Sequence, residues 1–282
     1  MIIVTGATGN VGAPTLDLLR GQGHEARGLC RHPVHPDDAA VDLADRAAVE
    51  DALVGATAVF AIAPPVENQL EMERNLIETA KRAGVSLYTR LSSLSANSNA
   101  EDSVACVHGQ AEEMLEASGV PYVHIRANFF MQMFLTQASV ISEQGVYATC
   151  CVGSAEVGFI DARDIASVAA AVLTERKYTG KTLKLTGPEL LTFRAGVEEI
   201  SRARGRGIDY YDMDAEEYRK ILLGAGVSTY LADHVIGLYR RIGTGSSATL
   251  TDDVSDVTGS APRNFGTFAA DYADRFTTPE ES

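Results

Sequence analysis

Met1-Ile-Ile-Val-Thr5, followed at once by Gly6-Ala-Thr-Gly-Asn-Val-Gly12, decides the fold. Four apolar or β-branched residues in a row read as a buried parallel strand. Three glycines follow at a spacing of three. Beyond them Val11, Leu16, Leu18 and Leu19 fall on one side of a helix, with Asn10 as its expected N-cap. Gly6 suits a tight turn, Gly9 presents backbone with no Cβ, and Gly12 lets the helix pack closely on the strand. A strand, a glycine turn and a helix N-terminus together form a site for a pyrophosphate. Gly6, Thr8, Gly9, Asn10 and Val11 are therefore the first candidate dinucleotide contacts.

The chain has 282 residues, 45% hydrophobic and 22% charged, enough for one large domain or one and a half. A formal charge of −14 argues against a nucleic-acid backbone as partner, because that partner needs basic patches. No apolar run approaches a membrane span, and the immediate entry into a strand speaks against a signal peptide. Cys30, Cys106, Cys150 and Cys151 show neither a C-x-x-C pair nor metal-ligand spacing, so the expectation is a reduced, cytoplasmic protein with no metal.

Further along, strands alternate with helices. Glu25 to Cys30 reads as the second strand and ends at Arg31, where an arginine can hold a 2′-phosphate and an acid would hold a 2′-hydroxyl. Arg31 thus points to NADP(H). Leu43 is expected beside the adenine. The strand Thr57 to Ile62 ends at Ala63 and Pro64, in the loop region where such sheets bind ligands. Glu67 to Ala83 reads as a helix. Ser86 to Leu91 forms a strand ending in Ser92 and Ser93, hydroxyls placed for the nicotinamide ribose or a substrate, or for capping their own loop. A helix over 104–118 carries His108 near its first turn. After the strand Tyr122 to Arg126, the run Asn128-Phe129-Phe130-Met131 stands where a substrate pocket would open. Thr182 to Thr186 closes the sheet.

Past Pro188 helical patterns dominate. The reading is an α/β chain: a Rossmann-like doubly wound parallel sheet over 1–187, with a smaller, mostly helical cap over 188–282.

Gly6 to Gly12, Arg31-His-Pro33, Leu91-Ser-Ser93, Ser118-Gly-Val-Pro-Tyr122, Phe159 to Ile165 and Leu185-Thr-Gly-Pro188 resemble the NmrA-like branch of atypical short-chain dehydrogenases. The resemblance implies an NADP(H)-binding protein, either a reductase of quinones, iminium ions or related acceptors, or a non-catalytic sensor of NADP(H). The wider superfamily uses a Tyr-x-x-x-Lys pair, and here no tyrosine has a lysine four residues on. The equivalent helix offers His108 and Glu112. His108 occupies the place of a catalytic lysine in isoflavone-reductase-like relatives, which makes it the candidate proton donor or, equally, a ribose ligand. The expected partners are a small-molecule substrate, a second copy in a homodimer and, on the regulatory reading, a protein partner. Neither nucleic acid nor membrane is expected.

Overall fold

The computed structural model describes residues 1–101 and 103–277; Asp102, the last residue of a polar loop expected over 97–102, and the acidic last residues lie outside that range. In chain order the elements are β1 (Ile2–Thr5), α1 (Gly12–Gly21), β2 (Ala26–Cys30), β3 (Ala39–Ala40), α2 (Arg46–Ala52), β4 (Ala58–Ala61), α3 (Gln69–Arg82), β5 (Leu87–Ser93), α4 (Ser103–Ser118) and β6 (Tyr122–Ala127). There follow α5 (Ala138–Gln144), β7 (Val146–Cys150), β8 (Glu156–Val157), α6 (Ala162–Thr174), β9 (Thr182–Leu185), β10 (Leu191–Thr192) and α7 (Phe193–Arg204). The last are β11 (Asp209–Met213), α8 (Ala215–Gly224), α9 (Thr229–Gly243), α10 (Asp253–Thr258) and α11 (Phe265–Asp271).

Two compact units result. The first holds Met1–Ala127, Ala162–Lys184 and Asp253–Ser260; the second holds Asn128–Asp161, Leu185–Asp252 and the chain from Ala261 on. A single boundary after 187 therefore captures only part of the division. The segment 128–161 joins the C-terminal residues because its aromatic side chains share their core, as described below.

The first unit is a seven-stranded sheet in the order β3-β2-β1-β4-β5-β6-β9. Neighbours from β3 through β6 pair in parallel. The first six strands reproduce the doubly wound 3-2-1-4-5-6 arrangement, whose direction of progression reverses between β1 and β4. Continuous apolar runs account for it: Ile3 and Val4 of β1 and Val59 and Phe60 of β4 are wholly buried, as strands covered on both faces must be. Val49 of α2, Leu76, Ile77 and Ala80 of α3 and Leu115 of α4 meet Ile3, Val59 and Tyr88 in one core. α1 packs on β1 and β2, α6 packs on β4, β5 and β6, and these two helices pack on each other.

Among the described residues of the second unit, five α-helices accompany two small sheets. β7 pairs with β11 in parallel and β8 with β10 antiparallel. Helical patterns dominate the sequence beyond Pro188, yet β10 and β11 lie there; β10, at two residues, is too short to show a period. Phe134 lies at the heart of this unit. It stacks on Tyr147 with ring centroids 4.8 Å apart and meets Phe265 edge-on at 5.0 Å. Phe159 and Phe193 complete the cluster around it.

Candidate functional site

Three loops leave the carboxyl ends of β1, β2 and β4 in the first unit. Gly6 turns the chain out of β1 with φ +62°, the left-handed region that glycine enters without strain. A Cβ on Gly12 would stand 2.2 Å from the Gly6 carbonyl oxygen, so only glycine lets the first turn of α1 sit against the loop. Gly9 donates its N–H to that same oxygen at 2.9 Å. Thr8, Gly9 and Asn10 form the exposed tip, while Val11 is buried behind them. The N-cap is Val11 rather than the expected Asn10. The helical ladder begins one residue later, with Thr15 donating to Val11, and no side chain caps the helix.

Across the reversal point, Thr5 locks the two strand ends together. Its Oγ1 donates to the Ile62 carbonyl at 2.8 Å and accepts from the Ile62 N–H at 2.7 Å. Ala63 and Pro64 follow directly and are half-buried. The glycine loop and the Pro64 loop thus flank the crevice where open α/β sheets bind ligands.

Arg31 lies exposed just after β2. Of the two acids in the loop that follows, Asp37 is exposed and Asp38 is turned inward. Asp38 pairs with Arg20 and accepts the backbone N–H of Gly28 at 2.7 Å. Leu43 is buried in the core, and Asn75 Nδ2 holds its carbonyl at 3.1 Å.

A polar seam runs between β5, β6, α3 and α4. The pleat puts Arg90 and Ser92 on one face, and the register sets His124 and Arg126 beside them. On α4, His108, Glu112 and Glu116 recur every four residues and so share one helix face. Arg90 is fully buried and donates from Nη2 to Glu73 Oε1 at 2.8 Å; the same nitrogen lies 3.0 Å from His108 Nδ1. Ser92 donates to Glu112 Oε1 at 2.5 Å, and Arg126 Nε donates to the same oxygen at 3.0 Å. Burial alone would raise the Glu112 carboxyl. Hydrogen bonds from Arg126 and Ser92, with the charges of His124 and Arg126, hold it below the ordinary carboxylate range instead.

The family pattern of NmrA-like proteins matches residues 1–256. The chain belongs to the NmrA-like family. This NmrA-like chain is 30% identical over 284 residues to an NAD(P)H azoreductase of Xenophilus azovorans, covering 98% of this chain and 99% of that one. It is 31% identical over 285 residues to a (4-alkanoyl-5-oxo-2,5-dihydrofuran-3-yl)methyl phosphate reductase of Streptomyces griseus, with the same coverage. Among solved structures it resembles an NADPH-dependent quinone oxidoreductase of Escherichia coli in complex with NADPH. The TM-score is 0.85 at 24% identity, over 96% of this chain and 99% of the other.

Several residues singled out in the sequence find other employment. Ser92 is buried, and its hydroxyl donates a hydrogen bond to Glu112. Ser93 is half-buried, and its Oγ lies 2.9 Å from Ser95 Oγ within its own loop. In the second unit the Phe129–Phe134 run is core rather than pocket wall. Phe129 is buried against Phe159, Phe193 and Tyr239, because large rings with ring neighbours on several sides pack best inside. Asn128 is buried too, with Nδ2 donating to the Ser247 carbonyl at 2.9 Å. Phe130 alone of the three keeps a half-exposed side chain. Sequence reading passed over Arg90 and Glu73. The signal was there: a charge in the middle of an apolar strand, and an acid on the buried face of α3 one turn before Leu76 and Ile77.

Proposed function

We propose that this NmrA-like chain is an NADPH-dependent oxidoreductase that reduces a small conjugated acceptor of the quinone, azo, imine or enone type. One observation carries the cofactor reading: the glycine loop stands at the reversal point of the sheet while Asp38 is withdrawn from the end of β2 and Arg31 is exposed there. On this reading Thr8, Asn10 and Val11 receive the pyrophosphate on backbone N–H groups, while Gly6 makes the turn and Gly9, with no Cβ, lets the pyrophosphate approach. Arg31 holds the 2′-phosphate, Leu43 borders the adenine, and Ala63 and Pro64 line the crevice. When bound, NADPH supplies the hydride. His108 orients the acceptor or the ribose, and Ser93 and Phe130 are the candidate acceptor contacts.

The relatives support the acceptor class: one is named for azo reduction, the other for reducing a 5-oxo-2,5-dihydrofuran, an unsaturated lactone. The test is NADPH oxidation against a panel of quinones, azo dyes, imines and enones. Turnover of at least one class is expected. NADPH binding with no acceptor reduced would move the assignment to an NADP(H)-sensing protein that acts through a protein partner.

A further inference from the structure

The His108–Arg90–Glu73 contacts fix more than position. Arg90 Nη2 carries two hydrogens. One points to Glu73 Oε1 at 2.8 Å and the other to His108 Nδ1 at 3.0 Å. A guanidinium only donates, so Nδ1 must accept, and the ring proton must sit on Nε2. Arg90 itself cannot turn aside. It is fully buried in β5, and its ion pair with the buried Glu73 of α3 holds the head group in place. We infer that Arg90 is a positioning residue that locks His108 as the neutral Nε2–H tautomer, so that the imidazole serves as a fixed hydrogen-bond donor rather than as a carrier of a transferable proton.

A neutral Nε2–H polarises a carbonyl, imine or azo nitrogen by hydrogen bonding, and gives its proton up only with difficulty. That narrows the acceptors to those that take hydride first and a solvent proton afterwards, as conjugated acceptors do. This use of His108 rests on the reductase reading above; the tautomer does not.

Two arms test the inference. In the first, full-length chain labelled with 15N-histidine is examined at pH 8 by long-range 1H–15N correlation, with the His108 signal assigned by its loss in His108→Gln. One Nε2–H tautomer is expected in the wild type. In the double variant Glu73→Met/Arg90→Met, which leaves no lone buried charge, a mixture of both tautomers is expected. A wild-type Nδ1–H ring, or a pattern unchanged by the double variant, would overturn the inference. Should the double variant fail to fold, Arg90→Lys replaces it, and a shifted Nδ1 resonance is then required. The second arm measures turnover. The double variant should lose about tenfold or more, as expected when one working hydrogen bond to the acceptor is lost, and should lose nothing further when made in the His108→Ala background. An equal loss in both backgrounds means a merely structural Arg90 and rejects the positioning role. If no acceptor is reduced at all, the reductase reading fails, and the first arm still decides the tautomer.

Discussion

Asp38 accepts the backbone N–H of Gly28 at 2.7 Å and pairs with Arg20, so this carboxylate beside β2 is consumed inside the fold. A Cβ on Gly28 would fall 2.7 Å from that carboxyl group, which is why the strand carries glycine there. The consequence is a cofactor preference. Arg31 remains exposed beyond the strand, where on the proposed reading it holds the 2′-phosphate while the Asp38 carboxylate is bound elsewhere. Arg31→Ala should weaken NADPH about tenfold or more, in line with the roughly 1.5–3 kcal/mol of a charged hydrogen bond, and leave NADH nearly unchanged. Titration calorimetry with both cofactors checks this; equal losses would remove Arg31 from the 2′-phosphate.

Gly9 and Gly12 should respond differently to substitution. A Cβ on Gly12 meets backbone at 2.2 Å, so Gly12→Ala must push α1 off the turn and should lower the melting temperature. At Gly9 the nearest atom to such a Cβ is the Gly6 carbonyl oxygen at 3.2 Å, a tight contact that a shift of a few tenths of an ångström at the exposed loop tip relieves. Gly9→Val should therefore keep the fold and lose NADPH binding, because its branched side chain projects over the loop tip. Normal NADPH affinity in folded Gly9→Val would dismiss the loop as the site.

Much of this was legible in the chain because its signals are local. Apolar runs at Ile2–Thr5 and Ala58–Ala61 mark strands buried on both faces, and Gly6 to Gly12 is a turn whose backbone demands show in the residue types. The doubly wound parallel sheet follows from that pattern and general topology rules. Pairings over long sequence distances were not legible. Nothing near Phe129 announces that Phe159, Phe193 and Tyr239 surround it, so a run of aromatics after a strand end reads equally as pocket or core. Likewise Ser92 looks like a hydroxyl awaiting a ligand until α4 brings Glu112 to 2.5 Å from it.

The aromatic core of the second unit makes a quantitative prediction. Phe134 is wholly buried and touches four other rings. Phe134→Ala should cost about 3–5 kcal/mol, the transfer term plus the cavity left among rigid rings. Phe134→Leu, which keeps most of the volume, should cost clearly less. Urea titrations of both variants measure the difference. A loss below about 1 kcal/mol for the alanine variant would mean that the rings collapse to fill the space.

The last prediction concerns acid. His124 lies in β6 with its side chain fully buried and Nε2 3.2 Å from Glu116 Oε1. Burial, helped by the charge of Arg90, lowers its pKa below 6.5 against the opposing pull of Glu112 and Glu116. In the folded chain the ring therefore stays neutral at a pH where the unfolded chain has already bound a proton. Between the folded value and the unfolded value near 6.5 the unfolded state holds more protons, so stability rises with pH in that window and falls as pH drops through it. Above pH 7 both states are neutral at this residue, and it contributes no slope. Each such group adds at most about 1.4 kcal/mol per pH unit. His234, whose pKa burial also lowers, acts in the same direction. Glu112 adds a second loss at more acid pH, because its folded pKa is held below 4.5 and the Arg126 pair dissolves on protonation. Unfolding free energy measured in urea should be level from pH 8 to 7 and fall from pH 6.5 to 5.5. His124→Gln, which cannot titrate, should flatten part of that fall while leaving the loss below pH 4.5 in place. An unaltered slope between pH 6.5 and 5.5 in this variant would show that His124 takes its proton equally in both states.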